Sequence, residues 1–552
     1  MSLLPNATQN KEQADVIRQV FIHCPAVHHW QMIAIVTIMM VFSAPSFGQS
    51  TRGAIEPILS YPPIPTAQRM ELMRIARDTW RFYAADVDPN THLPMDNFGA
   101  NGVGRYTSAA NIGVYLWAVV AANDLGLVSR PEARSLIQAT LIEVQGLKRF
   151  DGFLYQWYDT TTGTVIRNPG DNTDCSAETP TTDNCFFVSA VDNGWYASGL
   201  IVVRQAMPEL ASLVNSLMGQ MNFSIFYDNG VETACNVNPT TFQPTGQMFG
   251  GYYVGIGPAS YHNGAFYSDP RIAVYIGMGL GQMPGNVWWR SWRALPPPAP
   301  YDNCAATDPN FSWQGQWPMG GYWQNYADPQ SHQVFHVWEG HYTYPDTDLS
   351  FVPTWAGGMF EGLMANEVVP ETSWGRRSFG LNDLRTAQVQ IKYATEMLHL
   401  PVWGMSPSST ADDTGNYGGF GVEGLLFPYF GFGADTTTPN LGLSQCFACA
   451  LEDVVSPHTS FLVLDVLPQQ AFDNIQSLLS RYPGLYEAYG FYDAVNPSTG
   501  SVGHRYLVLD QSMIMAALDN ALNDRAMQRH FARDPVSLAA QTYLSAETLS
   551  IH

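Results

Sequence analysis

The acids of this chain that could do chemistry are those standing among aromatic residues and glycines. Two carboxyl groups, one protonated and one ionised, are enough to cleave a glycosidic bond, and five segments each offer a candidate. In Phe187-Val188-Ser189-Ala190-Val191-Asp192-Asn193-Gly194-Trp195-Tyr196, Asp192 opens an apolar helix, where it either caps the helix or faces a ligand. In Tyr267-Ser268-Asp269-Pro270-Arg271, Asp269 precedes a proline at a first helical position, and Arg271 is a nearby cation that could hold the carboxyl ionised. Tyr261, His262, Asn263 and Tyr267 beside it would suit a sugar subsite. Glu361 follows Trp355-Ala356-Gly357-Gly358-Met359-Phe360 one turn into an apolar helix, so it needs a partner or a raised pKa. Asp412 and Asp413 lie in a loop bounded by Trp403, Tyr417 and Phe420, and Asp493 and Asp510 either cap helices or line the same centre.

Other chemistries lack their signatures. There is no G-x-S-x-G nucleophile elbow, no H-E-x-x-H and no Walker A loop. His332, His336 and His341 miss any standard metal spacing, and the Asp412-Asp413 loop misses the EF-hand pattern, so neither a metal nor a cofactor is expected.

Composition narrows the ligand. Only 13% of the 552 residues are charged, against about 25% in an average globular domain, and the net charge is −22. Such a surface repels phosphate backbones, which argues against nucleic acid. The 15 Trp, 27 Tyr and 28 Phe supply a core and exclude disorder. Many aromatics with few charges suit a neutral, hydroxyl-bearing ligand such as an oligo- or polysaccharide.

The elements that must position these acids read as helices. Leu72, Ile75, Thr79 and Phe82 repeat at helical spacing, as do Leu384, Ala387, Ile391, Ala394 and Leu398 after Asn382. Similar patterns near 108–125, 131–147, 190–206, 208–220, 269–281, 355–366, 456–466, 468–482, 510–521 and 523–533 bring the total to about twelve. Twelve helices without a dividing linker predict an all-α fold, an (α/α)6 toroid over residues 66–535. Long irregular loops, notably 225–267 and 285–350, would form its active-site face, with 49–65 a short linker and 536–552 a C-terminal tail.

The apolar run Met32–Phe42 is too short to span a membrane, which takes about 20 residues, and fits the core of a signal peptide over residues 1–48. An exported monomer without a membrane span after processing is expected. Removing the leader with Cys24 leaves Cys175, Cys185, Cys235, Cys304, Cys446 and Cys449, an even set that predicts disulfides, with Cys175–Cys185 closing a short loop.

The segments also carry a resemblance. Thr107-Ser108-Ala109-Ala110-Asn111-Ile112-Gly113 resembles the T-S-x-x-N-I-G helix start of the glucoamylase-like domain family of glycoside hydrolases. Gly152-Phe153-Leu154-Tyr155-Gln156-Trp157-Tyr158-Asp159 resembles its G-x-x-Y-N-W-Y-D loop, Val188–Gly194 its V-S-T-V-D-x-G, Trp355–Glu361 its W-S-G-x-M-F-E, and Ser456-Pro457-His458 its late helix start. The resemblance runs from about 66 to 534. It implies an (α/α)6 fold and the chemistry of β-1,2-glucanases or of the cyclising domain of cyclic β-1,2-glucan synthases.

Residue by residue, it implies that Asp269 stands for the essential Glu of an S-E-A-R segment, one methylene shorter. Pro407 replaces the synthase-type Glu, which favours hydrolysis, and Asp412 or Asp413 matches the glucanase Asp that activates water. Inversion, with protonation relayed through a substrate hydroxyl, is further implied. Asp192, Arg271, Glu361, Trp157, Tyr158, Tyr267, Trp355, Trp403, Tyr417 and Phe420 would line the subsites. The same fold acting on another glycan, a transglycosylase, and a non-catalytic carbohydrate-binding protein are the alternatives.

Overall fold

The computed structural model describes residues 58–170, 175–231, 245–293, 320–344, 347–354, 357–422, 430–431, 444–445 and 453–551. The leader at 1–48, Trp355 and four of the expected disulfide cysteines, Cys235, Cys304, Cys446 and Cys449, lie outside these residues. Cys175 and Cys185 are bonded, with Cα atoms 5.4 Å apart.

Fifteen α-helices occur among the described residues. They are α1 Thr66–Asp86, α2 Ala109–Asp124, α3 Arg130–Gly146, α4 Ala190–Ala206, α5 Ala211–Met218, α6 Arg271–Gly279, α7 Asn286–Arg290, α8 Met359–Leu363, α9 Glu371–Trp374, α10 Phe379–Lys392, α11 His458–Leu462, α12 Pro468–Arg481, α13 Val508–Leu522, α14 Ala526–Ala532 and α15 Ser537–Ala546.

Two kinds of helix can be told apart by what they bury. In α3 the buried residues Ala133, Ile137, Thr140, Leu141 and Val144 form a single stripe, as on a helix with one face in water. In α12, Ala471, Asn474, Ile475 and Leu478 do the same. In contrast, α2 is buried from Ala109 to Ala122, and α13 from Val508 to Leu522 apart from half-buried Leu509, so these helices lie inside. Contacts link α2 to α4 and α13, α4 to α6, α13 to α11, and α11 to α8. Arg271 of α6 closes the circuit by donating to the carbonyls of Glu361 and Gly362 in α8.

Glycines let the inner helices touch. A methyl group at Gly113 of α2 would sit 2.5 Å from the Tyr196 Cα of α4, and one at Gly194 of α4 would sit 2.9 Å from the Ala273 Cβ of α6. Polar side chains set the helix starts: Ser108 accepts the Asn111 amide at 3.1 Å and Ser189 accepts that of Asp192 at 3.2 Å.

The fold is mainly helical, as expected, and two segments carry more regular structure than the sequence predicts. Part of the 285–350 loop is a hairpin in which Gly320–Ala327 pairs antiparallel with Val334–Thr343. Phe335, Val337, Glu339 and Tyr342 are buried, while Val334 and His336 are exposed. Interspersed His, Trp and Gly blur that alternation in the sequence. Within the expected C-terminal tail, Ser537–Ala546 form a packed helix. Helix α15 buries Ala539, Ala540, Tyr543 and Leu544, and Glu547 beyond it pairs with Arg293 and accepts the Trp288 indole N–H at 2.8 Å.

Candidate active site

The acids gather at the N-terminal ends of the inner helices. Asp192 lies in the first turn of α4, Asp269 just before α6, Glu361 in the first turn of α8, His458 at the start of α11 and Asp510 in the first turn of α13. Local bonds hold their surroundings. Asn193 accepts the Leu154 amide at 2.8 Å and donates to its carbonyl at 2.9 Å, which fixes the 153–157 segment against α4. Gln156 of that segment reaches Asp192 at 3.4 Å. Gln390 ties Gly357 and Met405 together with bonds of 2.9 Å, and Ser406 accepts the Phe360 amide at 3.1 Å, which positions the approach to Glu361.

Three carboxyls influence one another here. Burial lifts Asp269 from its ordinary 3.8 to about 6, and the Asp192 charge adds to this, while the Trp195 side chain and Arg271 pull it down. Burial pushes Glu361 well above the usual range, and the Asp269 charge adds to this. The Gly358 amide, 3.2 Å from Glu361, opposes that rise only in part. Asp192 is raised by burial as well.

A second group, His458, Asp493 and Asp510, adjoins the first. Burial lowers His458 to about 4, raises Asp510 to about 6, and drives Asp493 well upward with help from the Asp510 charge. Tyr417 connects the two groups. It is 52% exposed, yet burial around its hydroxyl and the charges of Asp510, Asp493, Glu361 and Asp96 keep the phenol protonated.

Asp412 and Asp413 occupy a different setting, an exposed turn inside the small hairpin Ser408–Ser409 with Tyr417–Gly418. Hydrogen bonds from Thr414 and Thr410 hold Asp412 below the usual carboxylate range. All of these bonds fall on Oδ1, at 2.6 Å from the Thr414 hydroxyl, 2.7 Å from Thr410 and 3.1 Å from the Thr414 amide. Asp413 is lowered by the His504 amide, 3.0 Å away, and both its oxygens face the His504 ring.

Several expected subsite residues turn out to hold the frame. Arg271 is 1% exposed and donates to Glu371, to Ser268, and to the Glu361 and Gly362 carbonyls, so it has no donor left for a sugar and is not the partner of Asp269. Tyr267 is buried and donates to Asp383 at 2.7 Å, and Tyr158 is buried and donates to the Lys148 carbonyl at 2.6 Å. Trp403 belongs to the main core, and Phe420 packs with Ala411, Val454 and Ala494. An aromatic beside an acid gives the same sequence signal whether it faces a ligand or the core. Trp157 remains half-buried, edge-on to Tyr106 with centroids 5.6 Å apart. Asp96 and Trp195 were missed. Trp195 follows Asp192 by three residues, one helical turn, which was the available signal; Asp96 sits in an irregular segment that offered none.

Comparisons with known proteins bear on the fold. Residues 325–535 match the family model described as "Putative glucoamylase", and residues 74–253 match DUF3131, a protein family of unknown function. A stretch of 145 residues is 31% identical to the cyclic beta-(1,2)-glucan synthase NdvB of Rhizobium meliloti; it makes up 26% of this chain and only 4% of that much longer protein. The endo-beta-1,2-glucanase of Chitinophaga pinensis, solved with sophorotriose and glucose, superposes with a TM-score of 0.57 at 14% identity over 86% of this chain and 98% of that one. The beta-1,2-glucanase of Parabacteroides distasonis gives 0.59 at 13% identity over 88% of this chain and 61% of its own. Over residues 325–535 the chain is thus similar to the family described as putative glucoamylase, and its fold is similar to that of solved β-1,2-glucanases.

Proposed function

We propose that the protein is an exported glycoside hydrolase with an (α/α)6 toroid, cleaving β-1,2-glucan to sophoro-oligosaccharides with inversion. One observation carries this reading: Asp269 is pushed up to about 6 while Asp412 and Asp413 are held low, the separation that a general acid and a general base require. The names of its relatives point to β-1,2-glucan. In the reaction Asp269 supplies the proton, through a substrate hydroxyl, to the departing glycosidic oxygen. An ionised Asp takes a proton from water as that water bonds to the anomeric carbon from the opposite face.

Of the two loop acids, Asp412 suits the base better. Its bonds all fall on Oδ1, whereas both oxygens of Asp413 face His504. Asp412→Asn is therefore expected to lower kcat/KM by about 10²–10⁴-fold, and Asp413→Asn to keep most of the activity. The reverse order would transfer the role to Asp413.

Incubation with linear β-1,2-glucan followed by product sizing tests the whole reading. Short β-1,2-linked oligosaccharides are expected. Products from another glycan alone would overturn the substrate, and binding without products would make the protein a carbohydrate-binding one.

A further inference from the structure

The two-carboxylate reaction leaves His458, Asp493 and Asp510 unused. These residues are 1%, 2% and 1% exposed, and their ligand-capable atoms lie within 4.8 Å of one another. His458 Nδ1 is 3.4 Å from Asp510 Oδ2. With both carboxyls ionised, neither ring nitrogen of His458, neither oxygen of Asp510, nor Oδ1 of Asp493 has a hydrogen-bond partner, although Asp493 and Asp510 adjoin closely enough to share a proton. Asp493 Oδ2 alone is engaged, accepting the Ser409 amide at 2.5 Å. Five unpartnered polar atoms in one buried spot are costly unless something satisfies them.

We propose that His458, Asp493 and Asp510 bind one divalent transition-metal ion of the Zn²⁺ type. Two atoms bound to one such ion at about 2.0–2.2 Å lie at most about 4.4 Å apart, so small side-chain rotations close the set. The donors are one imidazole and two carboxylates, with no thiolate, a combination that suits Zn²⁺ or Mn²⁺ rather than Cu(I). The ion would also offset the repulsion between two buried carboxylates. Its ligands come from rigid supports: the adjoining helices α11 and α13 carry two of them, and the Ser409 amide holds the third. Three protein ligands leave a coordination position for water or a sugar hydroxyl.

The test is calorimetric titration of the chelator-stripped full chain with Zn²⁺, Mn²⁺ and Ca²⁺ separately, with thermal melts alongside. One equivalent of Zn²⁺ is expected to bind, with a melting temperature that rises with free Zn²⁺. Mn²⁺ should bind more weakly and Ca²⁺, which prefers six or more oxygens, should give no heat. His458→Ala is expected to lose both the heat and the melting shift. Asp510→Asn serves as the second variant if His458→Ala fails to fold, and circular dichroism checks both. Absence of stoichiometric Zn²⁺ binding, or undiminished binding in a folded variant, would overturn the proposal and leave proton sharing between Asp493 and Asp510 as the account of the cluster. The titration reads binding directly, so its outcome is separate from whether β-1,2-glucan is cleaved.

Discussion

Asp269→Asn is expected to reduce kcat/KM on β-1,2-glucan by about 10²–10⁴-fold, the usual contribution of a positioned general acid. Asn keeps the shape of the side chain and removes the proton that the reaction needs. The same property sets the pH dependence of the wild type. A general acid must be protonated, so kcat/KM should fall as pH rises through about 6. Stability should move the same way, over a lower pH range. The Asp269 carboxyl titrates higher in the folded chain than its ordinary 3.8, so folding favours its neutral form, and its ionisation weakens the fold as pH climbs towards about 6. Asp269→Asn should therefore melt no lower than the wild type at neutral pH, and any advantage should vanish as pH falls towards 4. Thermal melts across pH, paired with kinetics, separate the two effects. A fully active variant would remove Asp269 from the reaction and direct attention to Glu361, which shares its surroundings.

Arg271→Met is expected to cost about 3–5 kcal/mol of stability, the cost of removing one member of a buried ion pair. The guanidinium and the Glu371 carboxylate both have fully buried side chains, 2.7 Å apart. Without Arg271, Glu371 keeps only the Tyr275 hydroxyl among its side-chain donors, and the carbonyls of Ser268, Glu361 and Gly362 lose their guanidinium donors. Those carbonyls adjoin or belong to the acids of the centre, so activity should fall along with stability. Urea unfolding of the single variant and of Arg271→Met combined with Glu371→Gln provides the check. The double variant should recover part of the loss, because no unpaired charge remains buried. A single variant as stable as the wild type would show that the pair carries no net weight.

The helical frame was largely legible because packing dictates periodicity. The stripe in α3 and the all-round apolar run of α2 are both visible as residue patterns. Short helices such as α7 and α9, five and four residues long, fall below the length at which periodicity can register. The acids were legible too, since a carboxylate in apolar sequence always calls for an explanation. What could not be read was who answers it. Arg271 stands two residues from Asp269 in sequence, yet it pairs with Glu371, one hundred residues away. Trp403, Tyr267 and Phe420 stand near acids in the chain, but their rings belong to the interior. Neighbours along a chain share a sequence window, whereas neighbours in space are chosen by the closing of the helices around one another.

That closing gives the two glycine crossings a role as spacers. Gly113 seats α4 against α2, and Gly194 seats α6 against α4, each with no side chain between the backbones. Asp192 and Trp195 ride on α4, and Asp269 leads directly into α6. The span between these acids is thus gauged by atoms that are not there. Adding one carbon at Gly194 would press on the Ala273 backbone and widen that gauge without changing any catalytic group, so a tight tolerance on the chemistry lies in one of the least reactive residues of the chain.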